Sequence, residues 1–246
     1  MTNATDRAAR LFLSAELKLG ETIVCTGPQA NYLGNVLRLR PGDRVLLFNG
    51  RTGEWQAEIV ATDKRTVGLR VSAQTRPQSD GPDVDYLFAP LKRARLDYMV
   101  QKATELGVAR LRPVLTRYTI ADRVNLARMQ ANVVEAAEQC GILRLPAVEE
   151  PKRLHRVLDA WDPARALVFC DEAAPTEDPV AALSGVRRGP LAVLIGPEGG
   201  FEAAEAENIR SKPFVIRLSL GPRILRADTA AVAALALINA VLGDWR

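Results

Sequence analysis

Histidine, cysteine and long apolar runs are all scarce in this 246-residue chain. The one histidine, His155, lies in PKRLHRVLDAW. There Leu154, Val157, Leu158 and Trp161 recur at helical spacing and leave His155 on the solvated side. Histidine pairs, catalytic triads and His-rich metal sites are thereby disfavoured. The three cysteines, Cys25, Cys140 and Cys170, are an odd number without a C-x-x-C pair. Neither a disulfide framework nor a zinc site is expected, which fits a reducing cytoplasm. The longest apolar run, Thr229–Leu242, is too short to span a bilayer and is interrupted by Asn239. The N-terminus carries no apolar signal-peptide core. We therefore expect a cytoplasmic protein with no metal and no membrane partner. Two nucleotide signatures are also missing: no G-x-G-x-x-G occurs, and no glycine loop is followed by Gly-Lys-Ser/Thr.

What remains is an ordinary soluble composition, 48% hydrophobic and 25% charged. The net charge of +4 is unevenly spread. Residues 92–117 hold seven basic residues (Lys92, Arg93, Arg95, Lys102, Arg110, Arg112 and Arg117) against Asp97 and Glu105. Residues 1–75 hold ten basic and seven acidic residues, whereas residues 118–246 hold fifteen basic and seventeen acidic. Each of these cations taken alone reads as solvated surface; the asymmetry as a whole suggests a polyanionic partner.

The chain divides by rhythm. Up to residue 75, short β-branched or alternating segments (Arg10–Leu13, Thr22–Thr26, Arg44–Phe48, Glu54–Ala61 and Val67–Ala73) are separated by the turn signals Pro41-Gly42-Asp43 and Asn49-Gly50. Gln29–Arg38 has a short helical stripe. This pattern suggests a small β-barrel. The polar Pro/Gly stretch 74–84 reads as a boundary, dividing the chain into domains 1–75 and 76–246. Beyond it, buried-strand runs at Val84–Pro90, Leu111–Leu115, Ala166–Cys170, Leu191–Ile195 and Phe214–Leu218 alternate with helical stripes. The first stripe ends at Gly107 and the second at Gly141; Pro151 opens a third helix, and Asp228 or Thr229 caps a long last one. Such alternation specifies an α/β domain with a mostly parallel sheet.

The most informative residues are two glycine turns placed after buried strands. LAVLIGPEGGF covers Leu191–Phe201, and LSLGPRILRADTAA covers Leu218–Ala231. Open α/β sheets bind ligands at the carboxyl ends of their strands, where bare backbone permits close approach. Glu198 is the only ionisable group inside the first turn; Arg223 and Arg226 flank the second. Either turn alone could be a mere strand–helix connection, but the pair points to an adenosine-type cofactor.

Together LIGPEGGF and LSLGPRILRADTAA resemble the RsmE family of ribosomal RNA methyltransferases, in the SPOUT superfamily. LKRARLDYMVQKATELGV (91–108), RPVLTRY (112–118), EAAEQCG (135–141) and VLRLRPGD (36–43) match in the family's order and spacing. The resemblance implies a SPOUT-type parallel sheet with a trefoil knot, an N-terminal PUA-like β-barrel that binds RNA, and a homodimer. It implies S-adenosyl-L-methionine as cofactor, held by Leu194, Ile195, Gly196, Glu198, Gly199, Gly200, Leu218, Leu220, Gly221, Ile224 and Leu225. It implies methylation of uridine N3 in 16S rRNA, within the assembled small ribosomal subunit. Family members commonly read Glu-Thr-Ala where this chain has Asp228-Thr229-Ala230, so the acid is kept but shortened.

Uridine N3 carries a proton that must leave before the nitrogen can attack. Glu198, Asp228 or water are the candidate acceptors, and Arg223 or Arg226 a candidate stabiliser of the uracil anion. The same arginines could instead pair structurally with Glu198 or Asp228. Arg10, Lys92, Arg93, Arg95 and Arg226 are the candidate RNA contacts. Two other classes stay open: a non-catalytic RNA-binding factor and a ribose 2′-O-methyltransferase.

Overall fold

The computed structural model describes residues 8–120, 123–174 and 178–245. Residues 1–7 and 246, at the outer bounds of the two expected domains, lie outside them. The chain forms two compact units: residues 1–79 with 138–144, and residues 80–137 with 145–246.

The first unit contains β1 (Ala9–Phe12), β2 (Thr22–Thr26), β3 (Arg44–Phe48), β4 (Glu54–Thr62) and β5 (Thr66–Arg76). They form one sheet in the order β1-β3-β4-β5-β2, with β1 parallel to β3 and the other pairs antiparallel. Inward residues alternate with outward ones, and Val45, Leu47, Ala57, Ile59, Val67 and Leu69 make a closed apolar core. Three register shifts along β4 and β5 bend the pair, as bulges do. Because β1 and β2 remain the edges, the sheet is a half-barrel rather than a fully closed one. The stripe expected over Gln29–Arg38 is helix α1 (Gly27–Asn31) running into a π turn at Tyr32–Val36. β5 continues to Arg76, so the first residues read as linker are still strand.

The second unit contains β6 (Val84–Phe88), α2 (Arg93–Glu105), β7 (Arg110–Leu115), α3 (Leu126–Cys140), β8 (Ala147–Val148), β9 (Lys152–Arg153), α4 (Leu154–Asp159), β10 (Ala166–Cys170), α5 (Pro179–Ser184), β11 (Leu191–Ile195), α6 (Ala203–Arg210), β12 (Val215–Leu218) and α7 (Ala227–Val241). Only the last residues of α3 group with the half-barrel. The strands pair in parallel in the order β12-β10-β11-β6-β7-β8, with β9 also on β7. Helices cover both faces, which explains why β6 and β11 are buried at every position. Val84, Tyr86, Phe88, Val193 and Ile195 face one core layer with α2, α3, α5 and α7. Leu87, Leu167, Phe169, Ala192 and Leu194 face the other, with α4 and α6.

Asp85 is the exception inside β6. Only 1% of its side chain is exposed, and Arg110 and Arg112 neutralise it at 2.5 and 3.0 Å. A buried carboxylate requires such partners. Two expected helix starts differ. Pro151 precedes a strand, because Lys152 and Arg153 pair with Val114 and Leu115 before α4 begins. At α7 the N-cap is Arg226, not Asp228 or Thr229. Asp228 lies in the first turn, where its carboxylate is taken by another partner.

Candidate active site

β10, β11 and β12 are neighbours in the sheet, so their carboxyl ends converge. Phe169–Asp171, the Gly196–Phe201 turn and the Ser219–Arg226 segment, with Ala227 and Ala230 of α7, enclose a cavity of about 970 Å³. That is the upper end of the ~300–1,000 Å³ range of small-molecule sites. The chain moves from β6, β7 and β8 on one side to β10 on the other, so the cavity sits beyond the switch in strand order.

Nine of the eleven residues expected around a cofactor line this cavity: Ile195, Gly196, Glu198, Gly200, Leu218, Leu220, Gly221, Ile224 and Leu225. Leu194 does not. Strand alternation turns it into the opposite core layer, against Phe169 and Ile209, where it is fully buried. Gly199 also points elsewhere, since a Cβ there would touch the Tyr118 side chain at 3.5 Å. The glycines are needed for different reasons. A Cβ on Gly196 would run into the Phe201 ring, whereas Gly221 has open space but a φ of +95°.

Charge at the rim is organised by Arg95 in the first turn of α2. Its guanidinium donates to both oxygens of Asp228, at 2.9 and 2.8 Å, and pairs with Glu198. One arginine thus ties the first glycine turn to the start of the last helix. The hydrogen bonds from Arg95 hold the Asp228 carboxyl below its ordinary range. Arg95 was expected as a phosphate contact; here its donors face two carboxylates of its own unit. Sequence spacing could not reveal the pairing, as Arg95 and Asp228 are 133 positions apart.

Arg10, also expected as an RNA contact, is likewise engaged within its own unit. Its side chain is 11% exposed and pairs with Glu54 at 2.7 Å. It also donates to the carbonyls of Glu138 and Ile142 and stacks over Phe48. These partners consume its fork of donors inside the first unit. The other basic candidates are exposed: Lys92, Arg93, Arg223 and Arg226 make no salt bridge among the described residues, and Arg223 and Arg226 line the cavity.

Sequence reasoning missed a second charged cluster. Asp171, just past β10, receives Arg210 at 2.9 Å and Arg217 at 2.8 Å. Burial alone would raise its carboxyl, but hydrogen bonds from Arg210, Ala173 N–H and Arg217 outweigh burial and lower it. Arg217 inside the apolar run of β12 was the available signal, since a charge in a half-buried strand needs a partner. Cys170 also lines the cavity, and burial pushes its thiol up to about 12. It is a neutral thiol at neutral pH and no nucleophile.

Comparison with known proteins agrees with this architecture. Residues 79–239 match the family model for the RNA methyltransferase domain, and residues 26–72 match that for the RNA methyltransferase PUA domain. A ribosomal RNA small subunit methyltransferase E of Synechocystis is 31% identical over 96% of this chain and 78% of its own. The protein of that name from Rickettsia conorii is 29% identical over 94% of each chain. Among solved structures, a ribosomal RNA small subunit methyltransferase E of Neisseria gonorrhoeae, bound to S-adenosyl methionine, superposes with a TM-score of 0.89 at 26% identity. It covers 98% of this chain and 100% of its own. A methyltransferase of Legionella pneumophila, also solved with that cofactor, gives 0.84 at 28% identity over 97% and 99%. With most of its length matched by the two family models, this chain belongs to the RNA methyltransferase family of SPOUT-type enzymes that carry an N-terminal PUA-like domain.

Proposed function

We propose that the protein uses S-adenosyl-L-methionine to methylate N3 of one uridine in 16S rRNA, acting as a homodimer on the assembled small subunit. The observation that carries this reading is the cavity built from two glycine turns at the carboxyl ends of adjacent parallel strands. Its composition suits the cofactor. Ile195, Leu218, Leu220 and Leu225 offer an apolar wall, and Gly200 and Gly221 leave backbone groups uncovered. These residues would hold the adenosine and methionine portions. When bound, the cofactor supplies a methyl group already activated on a sulfonium sulfur. No thiol adduct is required, in keeping with the neutral Cys170.

The protein's own task is to orient the uracil and stabilise its anion. Reacting atoms must be held in line at about 3–3.5 Å. Glu198 and Asp228 are both engaged by Arg95, and the lowered Asp228 carboxyl is a weak base. We therefore assign them to positioning and assign water as the proton acceptor. Arg223 and Arg226, free of salt bridges among the described residues, supply positive charge beside the second turn. The path of the last segment supports the family's trefoil knot: the chain leaves β12 at the sheet edge and returns as α7 against α2 and β11.

The direct test is transfer of labelled methyl from S-adenosyl-L-methionine to small subunits and to naked 16S rRNA, with Arg223→Ala alongside. Expected is transfer to subunits and a loss in kcat for the variant, with cofactor affinity preserved. No transfer to either substrate would refute the proposal. Sedimentation of the protein at two concentrations tests the dimer.

A further inference from the structure

A second, smaller cavity of about 310 Å³ lies beside the start of α2, outside the cavity described above. Leu91, Leu96, Val124 and Met129 give it an apolar floor. Lys92, Arg93, Arg123 and Arg128 give it a basic rim. Among the described residues its one carboxylate, Asp97, is already satisfied. Arg128 donates to both its oxygens at 2.6 to 2.9 Å, and Asn132 donates at 2.8 Å. Lys92, Arg93 and Arg123 make no salt bridge among the described residues. Among the described residues, the rim therefore sets four cations against one carboxylate over an apolar surface.

That pairing of features suits one nucleotide. The volume is at the lower limit of about 300 Å³ for small-molecule sites, too small for a folded element. An apolar floor receives a base face, and exposed cations receive a phosphate. The location fits as well. Arg95 in the first turn of α2 ties the rim of the large cavity, while Lys92, Arg93 and Leu96 of the same segment line the small one. The segment that lines the small cavity thus reaches, through Arg95, Glu198 of the large one.

We propose that this cavity is a subsite for a single-stranded RNA nucleotide flanking the target uridine, with Lys92, Arg93 and Arg123 on its phosphate. The proposal rests on the reading of the protein as an RNA methyltransferase acting on a specific uridine. Its role is positioning: it fixes the register of the strand so that one base reaches the large cavity.

The test uses the full-length protein with Arg123→Gln and Lys92→Gln, singly and together. RNA affinity for small subunits and for a single-stranded oligouridylate is measured from 50 to 200 mM salt, with methyl-transfer kinetics in parallel. Cofactor titration serves as the fold control. Expected are a raised KM with kcat nearly kept, unchanged cofactor affinity, and a salt slope flattened by about 0.7 for each phosphate that is no longer neutralised. Arg123→Lys should restore most of the affinity. Wild-type methylation with the double variant's KM and slope unchanged would overturn the subsite and leave the proposed function standing. A flattened slope in a protein that transfers no methyl would keep the subsite and overturn the proposed function. Loss of cofactor binding in the variants would also overturn the subsite, because the residues would then be supporting the large cavity.

Discussion

Replacing Arg95 by alanine removes a side chain that joins the Gly196–Phe201 turn to the first turn of α7. Two charge-assisted hydrogen bonds to Asp228, at 2.9 and 2.8 Å, and the pairing with Glu198 disappear together. Buried bonds to charged groups contribute about 1.5–3 kcal/mol and exposed ion pairs about 0–1. At 27% and 18% side-chain exposure the Arg95–Asp228 pair falls between these limits, at about 1.5 kcal/mol. If that energy holds the glycine turn in its binding shape, the proposed cofactor should bind about tenfold more weakly, at 1.4 kcal/mol per decade. Arg95→Lys keeps the charge but not the fork that bridges two carboxylates, so its loss should be about threefold. Calorimetric titration with S-adenosyl-L-methionine reads both values. Wild-type cofactor affinity in Arg95→Ala, with a flattened salt slope for RNA binding, would refute the tie and restore Arg95 as a phosphate contact.

Arg10→Ala should act on stability, not on RNA: it leaves the buried Glu54 with only Arg76 at 3.7 Å and the Thr75 hydroxyl at 3.0 Å, a loss of about 1.5–3 kcal/mol, read as a lowered denaturant midpoint, and an unchanged midpoint would contradict the buried assignment. Asp171→Asn should cost about 2 kcal/mol, or roughly 4–8 °C in Tm at neutral pH. The Asp171 and Asp228 carboxyls are lowered in the folded protein, so their stabilisation is present above the ordinary carboxylate range and lost as pH falls below about 4; Asp171→Asn should therefore flatten the acid limb, and an unchanged limb would count against the cluster. Gly221→Val should abolish cofactor binding through backbone strain at φ +95° with circular dichroism preserved; full binding would show the turn to be a plain connection. Replacing Cys25, Cys140 and Cys170 together by alanine or serine should leave methyl transfer largely intact, because the thiol in the cavity is neutral; loss of transfer would indicate a covalent route.

Much of this architecture was legible because it is local. Apolar runs marked Thr22–Thr26, Arg44–Phe48, Ala166–Cys170 and Leu191–Ile195 at their observed bounds. A stripe ending before Gly141 marked α3. The glycine turns marked the cavity for the same reason, since bare backbone after a buried strand is visible in a few consecutive letters. What stayed hidden depends on partners far apart in sequence. Arg10, Arg95 and Lys92 look alike as letters, yet Glu54 engages the first, Asp228 and Glu198 the second, and no salt bridge among the described residues holds the third. The Leu194 side chain turns away from the cavity for a simpler reason: it is one step from Ile195, and one step along a strand reverses the face. Arg123 lacked a motif of its own and gains meaning only beside Lys92 and Arg93.

The central claim is the atom that receives the methyl group. Small ribosomal subunits lacking the modification are incubated with the purified protein and labelled S-adenosyl-L-methionine. Their 16S rRNA is then digested to nucleosides and resolved by mass spectrometry, with the site mapped by reverse-transcriptase arrest. Expected is one equivalent of N3-methyluridine at a single arrest site, with a rate that rises with pH as N3 loses its proton. Label recovered as 5-methyluridine or as a ribose-methylated nucleoside would contradict the proposed chemistry.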